Sequence, residues 1–305
     1  MSTIDKTSKS VPVNSPGRSK IGAYVELVKL RITVMVLVTF VIAAVLSTTG
    51  PISIPLLLCA IAGMAAIAAS GNAMNMYIER YSDYLMPRTR RRPLPDQRLK
   101  AGEVAMFGAI SFGVGVGILF TAVNWQTAVV GIANWILYVV IYTPMKRRTM
   151  LNTEVGAVAG AMPVVMGALA ISQSVNLVGW SLFSVLLFWQ FPHFMAIAWK
   201  YREDYAAGGL KMLTVTDPTG RAAGRKAIYM AVLTLAASLA PLAVMQTQIH
   251  AWIFGVIATL LGLWYLKSSI SFSRTLDNVS ARSLLKVSVT YLPLYMLLLM
   301  LCCLL

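Results

Sequence analysis

Residues 32–78 read ITVMVLVTFVIAAVLSTTGPISIPLLLCAIAGMAAIAASGNAMNMYI, a stretch without a single charged side chain. A helix that crosses a bilayer needs about 20 mostly apolar residues, so this stretch is long enough for two such helices. The polar and turn-forming residues Thr48-Thr49-Gly50-Pro51 lie near its middle. A turn is tolerated there only if it reaches the membrane surface, because irregular backbone in lipid leaves amides unpaired. The stretch therefore predicts two membrane-spanning helices joined by a short turn.

Four further intervals of the chain also lack charge. They cover residues 104–145, 155–199, 227–266 and 287–305. The first three are each long enough for two spans and contain polar residues near their middles, at Asn124-Trp125-Gln126, Ser172-Gln173-Ser174 and Gln246-Thr247-Gln248. The last interval fits one span. The sequence therefore predicts an all-α integral membrane protein with nine transmembrane helices.

The charged residues all belong to one side of this predicted membrane protein. The chain is 58% hydrophobic and 12% charged, which leaves a soluble domain too little polar surface. The 26 basic and 11 acidic residues fall in the N-terminal tail and in loops around 79–103, 146–154, 200–226 and 267–286. The positive-inside rule makes that side cytoplasmic, with the N-terminus inside and Leu305 outside. Anionic lipid headgroups or a phosphate-bearing substrate explain the net charge of +15, and we expect no nucleic-acid partner.

The predicted domain organisation is simple. Residues 1–20 are rich in Ser, Pro and Lys without periodicity and are predicted to form a disordered cytoplasmic tail. Residues 21–305 are predicted to form one membrane-embedded domain. The three cysteines, Cys59, Cys302 and Cys303, lie in apolar runs without metal-ligand spacing, so we expect them to pack as small apolar side chains.

The end of the second predicted span carries the first candidate site. At about 100° per residue, Asn72, Asn75, Glu79 and Asp83 fall within an arc of roughly 80° on one helical face. Carboxylate and amide oxygens suit Mg²⁺, which commonly bridges protein carboxylates to a substrate phosphate. The spacing therefore predicts a magnesium site on this face.

A cationic loop follows, Arg88-Thr89-Arg90-Arg91-Arg92-Pro93-Leu94-Pro95. Arginine side chains match the oxygens of a diphosphate well. An ordinary network of salt bridges with lipid phosphates, where a helix leaves the membrane, is the alternative interpretation of the acids and arginines.

A second candidate site occupies the matching position after the sixth predicted span. Trp199-Lys200-Tyr201-Arg202-Glu203-Asp204-Tyr205 begins another long charged loop. This recurrence is typical of two related four-helix units. The adjacent acids Glu203 and Asp204 cannot share one helical face, and we favour Asp204. Two facing acidic clusters suit either two metal ions or one metal and the substrate.

Three further features have two interpretations each. His193 lies on the inner half of the sixth span, where an ionisable group is either functional or a neutral core histidine hydrogen-bonded between helices. Lys146-Arg147-Arg148 either anchors the topology or binds phosphate or carboxylate groups. His250, the other histidine, lies in an outer turn and is expected to be inert.

These motifs resemble the UbiA superfamily of membrane prenyltransferases, and within it the protoheme IX farnesyltransferases, or heme O synthases. The resemblance covers nearly all of the chain after the tail. It is carried by Asn72, Asn75-Met76-Tyr77-Ile78-Glu79 with Asp83, Met86, Arg88-Thr89, Arg92-Pro93-Leu94, Tyr142-Thr143, Lys146-Arg147-Arg148-Thr149, Pro192-His193-Phe194, Asp204-Tyr205 and Met212-Leu213. The chain departs from the superfamily in having Glu79 where many members have Asp, and in lacking two acids four residues apart in the second motif. The number of metal ions therefore stays open.

The resemblance implies a UbiA-type bundle that transfers a farnesyl group from farnesyl diphosphate to a vinyl group of protoheme IX, with addition of water, to give heme O. Mg²⁺ is the implied cofactor, and heme is a substrate. The implied catalytic residues are Asn75, Glu79, Asp83, Arg88, Arg92 and Asp204, of which Asn75, Glu79, Asp83 and Asp204 hold the metal. The implied substrate-binding residues are Asn72, Lys146, Arg147, Arg148, His193 and Tyr205, and His193 is expected to ligate or orient the heme.

Two other functions remain open from the sequence alone. A prenyltransferase that acts on an aromatic quinone precursor shares the general motifs, although the heme-branch motifs disfavour it. A membrane transporter also has repeated halves, although its charges typically lie at the middle of its spans. We expect the lipid bilayer as surroundings, a downstream heme-modifying enzyme as partner, and the bacterial inner membrane, or alternatively the mitochondrial inner membrane, as location.

Overall fold

The computed structural model describes residues 19–48 and 50–304. Within these ranges nine helices are long and apolar enough to cross a membrane. They are α1 (Lys20–Leu46), α2 (Ile54–Leu85), α3 (Ala101–Val123), α4 (Trp125–Arg148), α5 (Asn152–Ser172), α6 (Leu177–Lys200), α7 (Arg221–Val244), α8 (Gln248–Thr275) and α9 (Asn278–Cys303). The prediction of nine spans is therefore confirmed. The predicted tail at residues 1–20 lies outside the described residues except for Ser19, which caps α1, and Lys20, which begins it.

Capping residues mark the helix ends at two of the turns that the sequence predicts. Asn124 separates α3 from α4 in an extended conformation, and its side chain accepts a hydrogen bond of 2.8 Å from the Thr127 amide. Asn176 caps α6 in the same way through the Gly179 amide. Gln173 takes a left-handed conformation after the last residue of α5. Each cap satisfies backbone groups that a helix end would otherwise leave unpaired.

Helix α1 contains a break that the sequence analysis did not predict. Lys29 has φ 51° and ψ 56°, a left-handed conformation that is uncommon for a residue with a side chain. The carbonyl of Val28 beside the break instead accepts hydrogen bonds from the Thr33 hydroxyl, at 2.7 Å, and the Asn72 amide, at 3.0 Å. The break lies at the level of Asn72, one of the residues of the predicted site.

The two halves of the bundle repeat the same pairing. Helix α2 packs on α3 as α6 packs on α7, and α3 contacts α4 as α7 contacts α8. Helix α5 contacts α1 and α4 in the first half and α6 in the second. The contact between α1 and α5 is close, because a Cβ added at Gly167 would lie 2.0 Å from the Phe40 carbonyl oxygen. Small residues of this kind let helices approach each other in membranes.

Helix α4 is wound more widely over Ile136–Tyr142, a π-helical segment. Such segments change the register of the residues that follow and are frequent near functional sites. Thr143 and Lys146 follow directly, and both contact α2.

The two long charged loops, one after α2 and one after α6, pack against each other. The loop after α2 contributes Met86, which is buried with Ala198, Leu210 and Met212 from the end of α6 and the loop after it. That second loop contains the short helices Arg202–Ala207 and Leu213–Thr216. The fold thus brings the two candidate sites of the sequence to one end of the bundle.

Candidate active site

The C-terminal end of α2, which is predicted to be its inner end, presents buried polar side chains. Asn72, Asn75, Glu79 and Asp83 are all buried, and Asp83 has no exposed surface. Burial of a carboxylate is costly unless a cation or hydrogen-bond donors compensate it. The surroundings of these four side chains therefore define the site.

Both carboxylates are paired with cations from other elements. Arg92 Nη1 lies 2.7 Å from both oxygens of Asp83, and Lys146 Nζ donates to Glu79 Oε1 at 2.7 Å. The same Arg92 nitrogen lies 4.0 Å from Glu79 Oε2. One cationic atom thus lies between the two carboxylates.

Lys29 completes this group, and the sequence analysis missed it. Its Nζ donates to Asn75 Oδ1 at 3.0 Å, and Asn75 Nδ2 donates to the Thr143 hydroxyl at 3.2 Å. In the sequence Lys29 is one more basic residue flanking the first apolar stretch, so only its pairing across the bundle distinguishes it. Lys29 is also the residue at which α1 is broken.

The group as a whole contains more basic than acidic side chains. Lys29 contacts Asn75, and Arg92 and Lys146 contact the carboxylates of Asp83 and Glu79, so three basic groups lie beside two acids. Such a cluster attracts an anion, and a diphosphate offers enough oxygens to contact all three cations.

The neighbouring basic residues differ in their placement. Arg147 donates to the Ser82 hydroxyl from Nε at 2.8 Å and from Nη2 at 2.6 Å, beside Asp83. Arg148 is exposed and makes no side-chain hydrogen bond or ion pair with the part of the chain that is described. The structure thus brings Arg147, and not Arg148, to the group.

Arg88 joins the first inner loop to the second. Its guanidinium lies 4.7 Å from the Tyr201 ring centre and 5.6 Å from the Tyr205 ring centre, and Nη2 is 3.5 Å from the Tyr205 hydroxyl. Burial raises the pKa of Tyr205, so its hydroxyl is neutral and available as a donor. Tyr205 therefore lies beside Arg88, where the two loops meet.

Asp204 is half-buried, and its carboxylate has no ion pair with the residues of the described ranges. No three His, Cys, Asp or Glu side chains there are close enough to share a metal ion. The donors nonetheless fit Mg²⁺, which is typically held by one or two carboxylates together with water and substrate phosphate. Glu79 and Asp83 would hold such an ion, and Arg92 Nη1, which lies 2.7 Å from Asp83 Oδ2 and 4.0 Å from Glu79 Oε2, would then compete with it for the carboxylates.

Asn72 and His193 stand apart from the charged group. Asn72 donates to the Val28 carbonyl and, at 3.3 Å, to the Thr33 hydroxyl, so in this structure it supports the break in α1. His193 contacts Trp189, Phe194 and Ser288 instead of any charged side chain.

Comparison with known protein sequences finds relatives of one kind, the membrane prenyltransferases. The model of the UbiA prenyltransferase family matches residues 36–301. A protoheme IX farnesyltransferase from Solibacter usitatus is 39% identical over 280 residues, which cover 89% of this chain and 95% of that protein. One from Rhodopirellula baltica is 39% identical over 274 residues, which cover 88% of this chain and 96% of that protein. A mitochondrial protoheme IX farnesyltransferase from Arabidopsis thaliana is 35% identical over 299 residues, which cover 96% of this chain and 68% of that protein.

Solved structures share the fold at low sequence identity. A structure described in connection with digeranylgeranylglyceryl phosphate synthase superposes with a TM-score of 0.77 at 16% identity, over 93% of this chain and 98% of the other. A UbiA homologue from Archaeoglobus fulgidus, bound to DMAPP and Mg²⁺, has a TM-score of 0.70 at 14% identity, over 91% and 99%. With the family match over most of its length, the chain belongs to the UbiA prenyltransferase family.

Proposed function

We propose that this protein transfers a farnesyl group from farnesyl diphosphate to a vinyl group of protoheme IX, with addition of water, to form heme O and diphosphate. One observation carries the proposal: relatives named protoheme IX farnesyltransferase are up to 39% identical over about nine-tenths of the chain. The charged group at the C-terminal end of α2 supports the other part of the proposal, the binding of farnesyl diphosphate as the donor.

The first chemical step is cleavage of the allylic carbon–oxygen bond, with the electron pair leaving on the diphosphate. Lys29, Lys146 and Arg92 are positioned to contact the diphosphate oxygens and stabilise the charge that develops on them. Arg88 and Arg147 add positive charge at the edges of the same group. These donors are held near the site by hydrogen bonds to Asn75, Glu79, Asp83 and Ser82, and binding of the diphosphate requires them to exchange these partners.

Asn75, Glu79 and Asp83 are the residues proposed to hold Mg²⁺, with Asp204 from the second loop. When bound, the metal supplies further positive charge for the departing diphosphate. The protein's own contribution is to exchange partners: Arg92 and Lys146 move from the carboxylates to the phosphate oxygens, which frees the carboxylates. The surplus of basic over acidic side chains in the group favours this exchange.

The second step joins the two substrates. The terminal vinyl carbon of the porphyrin attacks the allylic carbon, forming a carbon–carbon bond and leaving a cation next to the porphyrin ring. A water molecule adds to that cation and loses a proton, which gives the alcohol. The surrounding apolar helices hold the prenyl chain and keep bulk water from the allylic cation.

The proposed setting follows from the fold and the relatives. The protein lies in the bilayer with its N-terminus and charged loops in the cytoplasm, since the basic residues concentrate on that side. We place it in the bacterial inner membrane and expect a downstream heme-modifying enzyme to receive the product.

The test is mass spectrometry of heme extracted from cells that lack their own farnesylated heme. Cells expressing the wild-type protein are expected to contain hydroxyethylfarnesyl heme, and cells expressing Asp83→Ala only protoheme. A prenylated quinone precursor without modified heme would instead establish the other acceptor. Well-folded protein that releases no diphosphate from farnesyl diphosphate in the presence of heme would contradict any transferase activity.

The metal requirement is tested on purified protein in lipid nanodiscs. Removal of divalent ions with EDTA is expected to abolish diphosphate release, and added Mg²⁺ to restore it. Full activity after EDTA treatment would contradict the metal assignment.

A further inference from the structure

Arg98 lies in the loop between α2 and α3, outside the charged group. Its guanidinium binds Glu26 of α1 through two hydrogen bonds, from Nη1 to Oε1 at 3.2 Å and from Nη2 to Oε2 at 2.6 Å. Only 7% of the side-chain surface of Arg98 is exposed, against 39% for Glu26. The pair is therefore bidentate and partly shielded from water, and an ion pair of this kind fixes the relative orientation of its partners.

The same guanidinium also holds its own loop together. Nε donates to Asp96 Oδ2 at 3.0 Å, and Nη2 donates to the Arg91 carbonyl oxygen at 2.8 Å. The backbone amide of Arg98 donates to the Pro93 carbonyl oxygen at 2.9 Å. The segment thus folds into a closed turn around Arg98, and this turn contains Arg92.

The two elements that Arg98 joins each carry a basic side chain of the charged group. Glu26 lies three residues before Lys29, close to one helical turn. The Arg91 carbonyl that Arg98 binds belongs to the residue before Arg92. Because Lys29 and Arg92 are far apart in the sequence, their separation in space depends on the contact between α1 and the loop. Arg98 provides the charged part of that contact.

Apolar side chains supply another part of the contact between α1 and the loop. Ala23 and Leu27 of α1 are buried in one cluster with Leu99 of the loop. Apolar packing is non-directional, so it brings the two segments together without fixing their exact orientation, whereas a bidentate ion pair is directional. Loss of Arg98 is therefore expected to leave α1 in place and to loosen the position of Lys29.

We propose that Arg98 is a positioning residue for the prenyl diphosphate, which holds Lys29 and Arg92 at the separation that lets both contact one diphosphate group. All three guanidinium nitrogens of Arg98 have partners within the protein, so it acts through its neighbours and not by touching the substrate. The inference rests on the donor part of the proposed function, the binding of farnesyl diphosphate, and is independent of the acceptor.

The experiment measures equilibrium binding of farnesyl diphosphate, and of inorganic pyrophosphate, to full-length protein in lipid nanodiscs with Mg²⁺ and without heme. Arg98→Gln is expected to weaken both ligands by about tenfold, because both present the diphosphate to the same basic side chains. Glu26→Ala removes the same pair from its more exposed side and is expected to have the same effect. It is judged by the same criteria, so the test does not depend on recovery of folded Arg98→Gln.

Two control variants leave the pair between Arg98 and Glu26 intact. Lys20→Ala removes an exposed ion pair that joins α1 to α3. Asp96→Asn keeps an oxygen that can accept the hydrogen bond from Arg98 Nε. Both variants are expected to bind the two ligands as the wild type does.

A double variant separates positioning from a general loss of stability. In a Lys29→Gly background the amine that the pair positions is absent, so adding Arg98→Gln is expected to weaken binding further by no more than about threefold. The same tenfold loss in both backgrounds would show that Arg98 acts independently of Lys29 and would overturn the proposal. Wild-type affinity in both Arg98→Gln and Glu26→Ala would also overturn it.

Failure of the proposed function gives a different pattern of results. Wild-type protein that binds farnesyl diphosphate but forms no heme O would contradict the proposed acceptor and leave the role of Arg98 in place. Wild-type protein that binds neither farnesyl diphosphate nor pyrophosphate would contradict both proposals.

Discussion

At the scale of single residues, the inner end of α2 combines two carboxylates with three cations that come from three other segments. The two carboxylates pair with two of the basic side chains in the absence of substrate, and each basic side chain can instead contact a phosphate oxygen. If a member of the group binds substrate, removing it should lower activity more than it lowers stability. Each variant below is paired with a control variant that separates loss of activity from loss of stability.

Asp83→Asn is expected to lower heme O formation by about 100-fold or more, because it removes one of the two carboxylates that balance and position the cations. The measurement is product formed per amount of folded protein. Asp96→Asn is the control, since Asp96 is also buried and paired with an arginine, at 3.0 Å from Arg98. Similar activity losses in both variants would show that the effect comes from folding.

Lys29→Gly is expected to raise the KM for farnesyl diphosphate by about tenfold, because a hydrogen bond to a charged group contributes about 1.5–3 kcal/mol. Glycine adopts the left-handed conformation at residue 29 without strain, so this variant removes the amine and keeps the break. Lys20→Ala removes an exposed lysine of α1 that pairs with Glu103 of α3, and it should leave KM unchanged. An unchanged KM in Lys29→Gly would exclude Lys29 from donor binding.

At the scale of helices, the site depends on how closely α1 approaches α5, since the break in α1 carries Lys29. Gly167→Ala is expected to destabilise the protein by about 1–3 kcal/mol, because the added methyl group meets the Phe40 backbone, which cannot rotate away. Gly113→Ala is the control, as nothing lies within 4 Å of a Cβ there. Thermal unfolding in nanodiscs measures the difference. Equal melting temperatures for the two variants would argue against the close contact.

At the scale of the whole molecule, the charge distribution predicts the orientation in the membrane. In a background with Cys59, Cys302 and Cys303 replaced by serine, Ser174→Cys in the turn after α5 should react with a membrane-impermeant maleimide on intact cells. Glu203→Cys, whose side chain is 91% exposed in the loop after α6, should react only after the membrane is opened. The reverse pattern would place the charged loops, and the proposed site, outside the cell.

The prediction of the fold succeeded where the signal is local. Hydropathy along a few tens of residues is enough to predict the length of each span and the polar turns between spans. Helical periodicity is enough to predict that Asn75, Glu79 and Asp83 share one face. The break at Lys29 was missed because no glycine or proline marks it. Its left-handed conformation is supported by Thr33 within the helix and by Asn72 from another helix.

The sequence by itself determined the number of spans, the single charged side and the residues with the chemistry for a metal and a diphosphate. Only the tertiary structure decided which side chains meet: Lys29 with Asn75, 46 residues apart, His193 with Ser288, 95 apart, and Arg88 with Tyr205, 117 apart. Hydropathy and periodicity are properties of one helix. Contacts between distant helices depend on the distances between the helices, which small residues shorten, and on the rotation of each helix about its axis. Neither quantity can be read from the pattern of a single sequence.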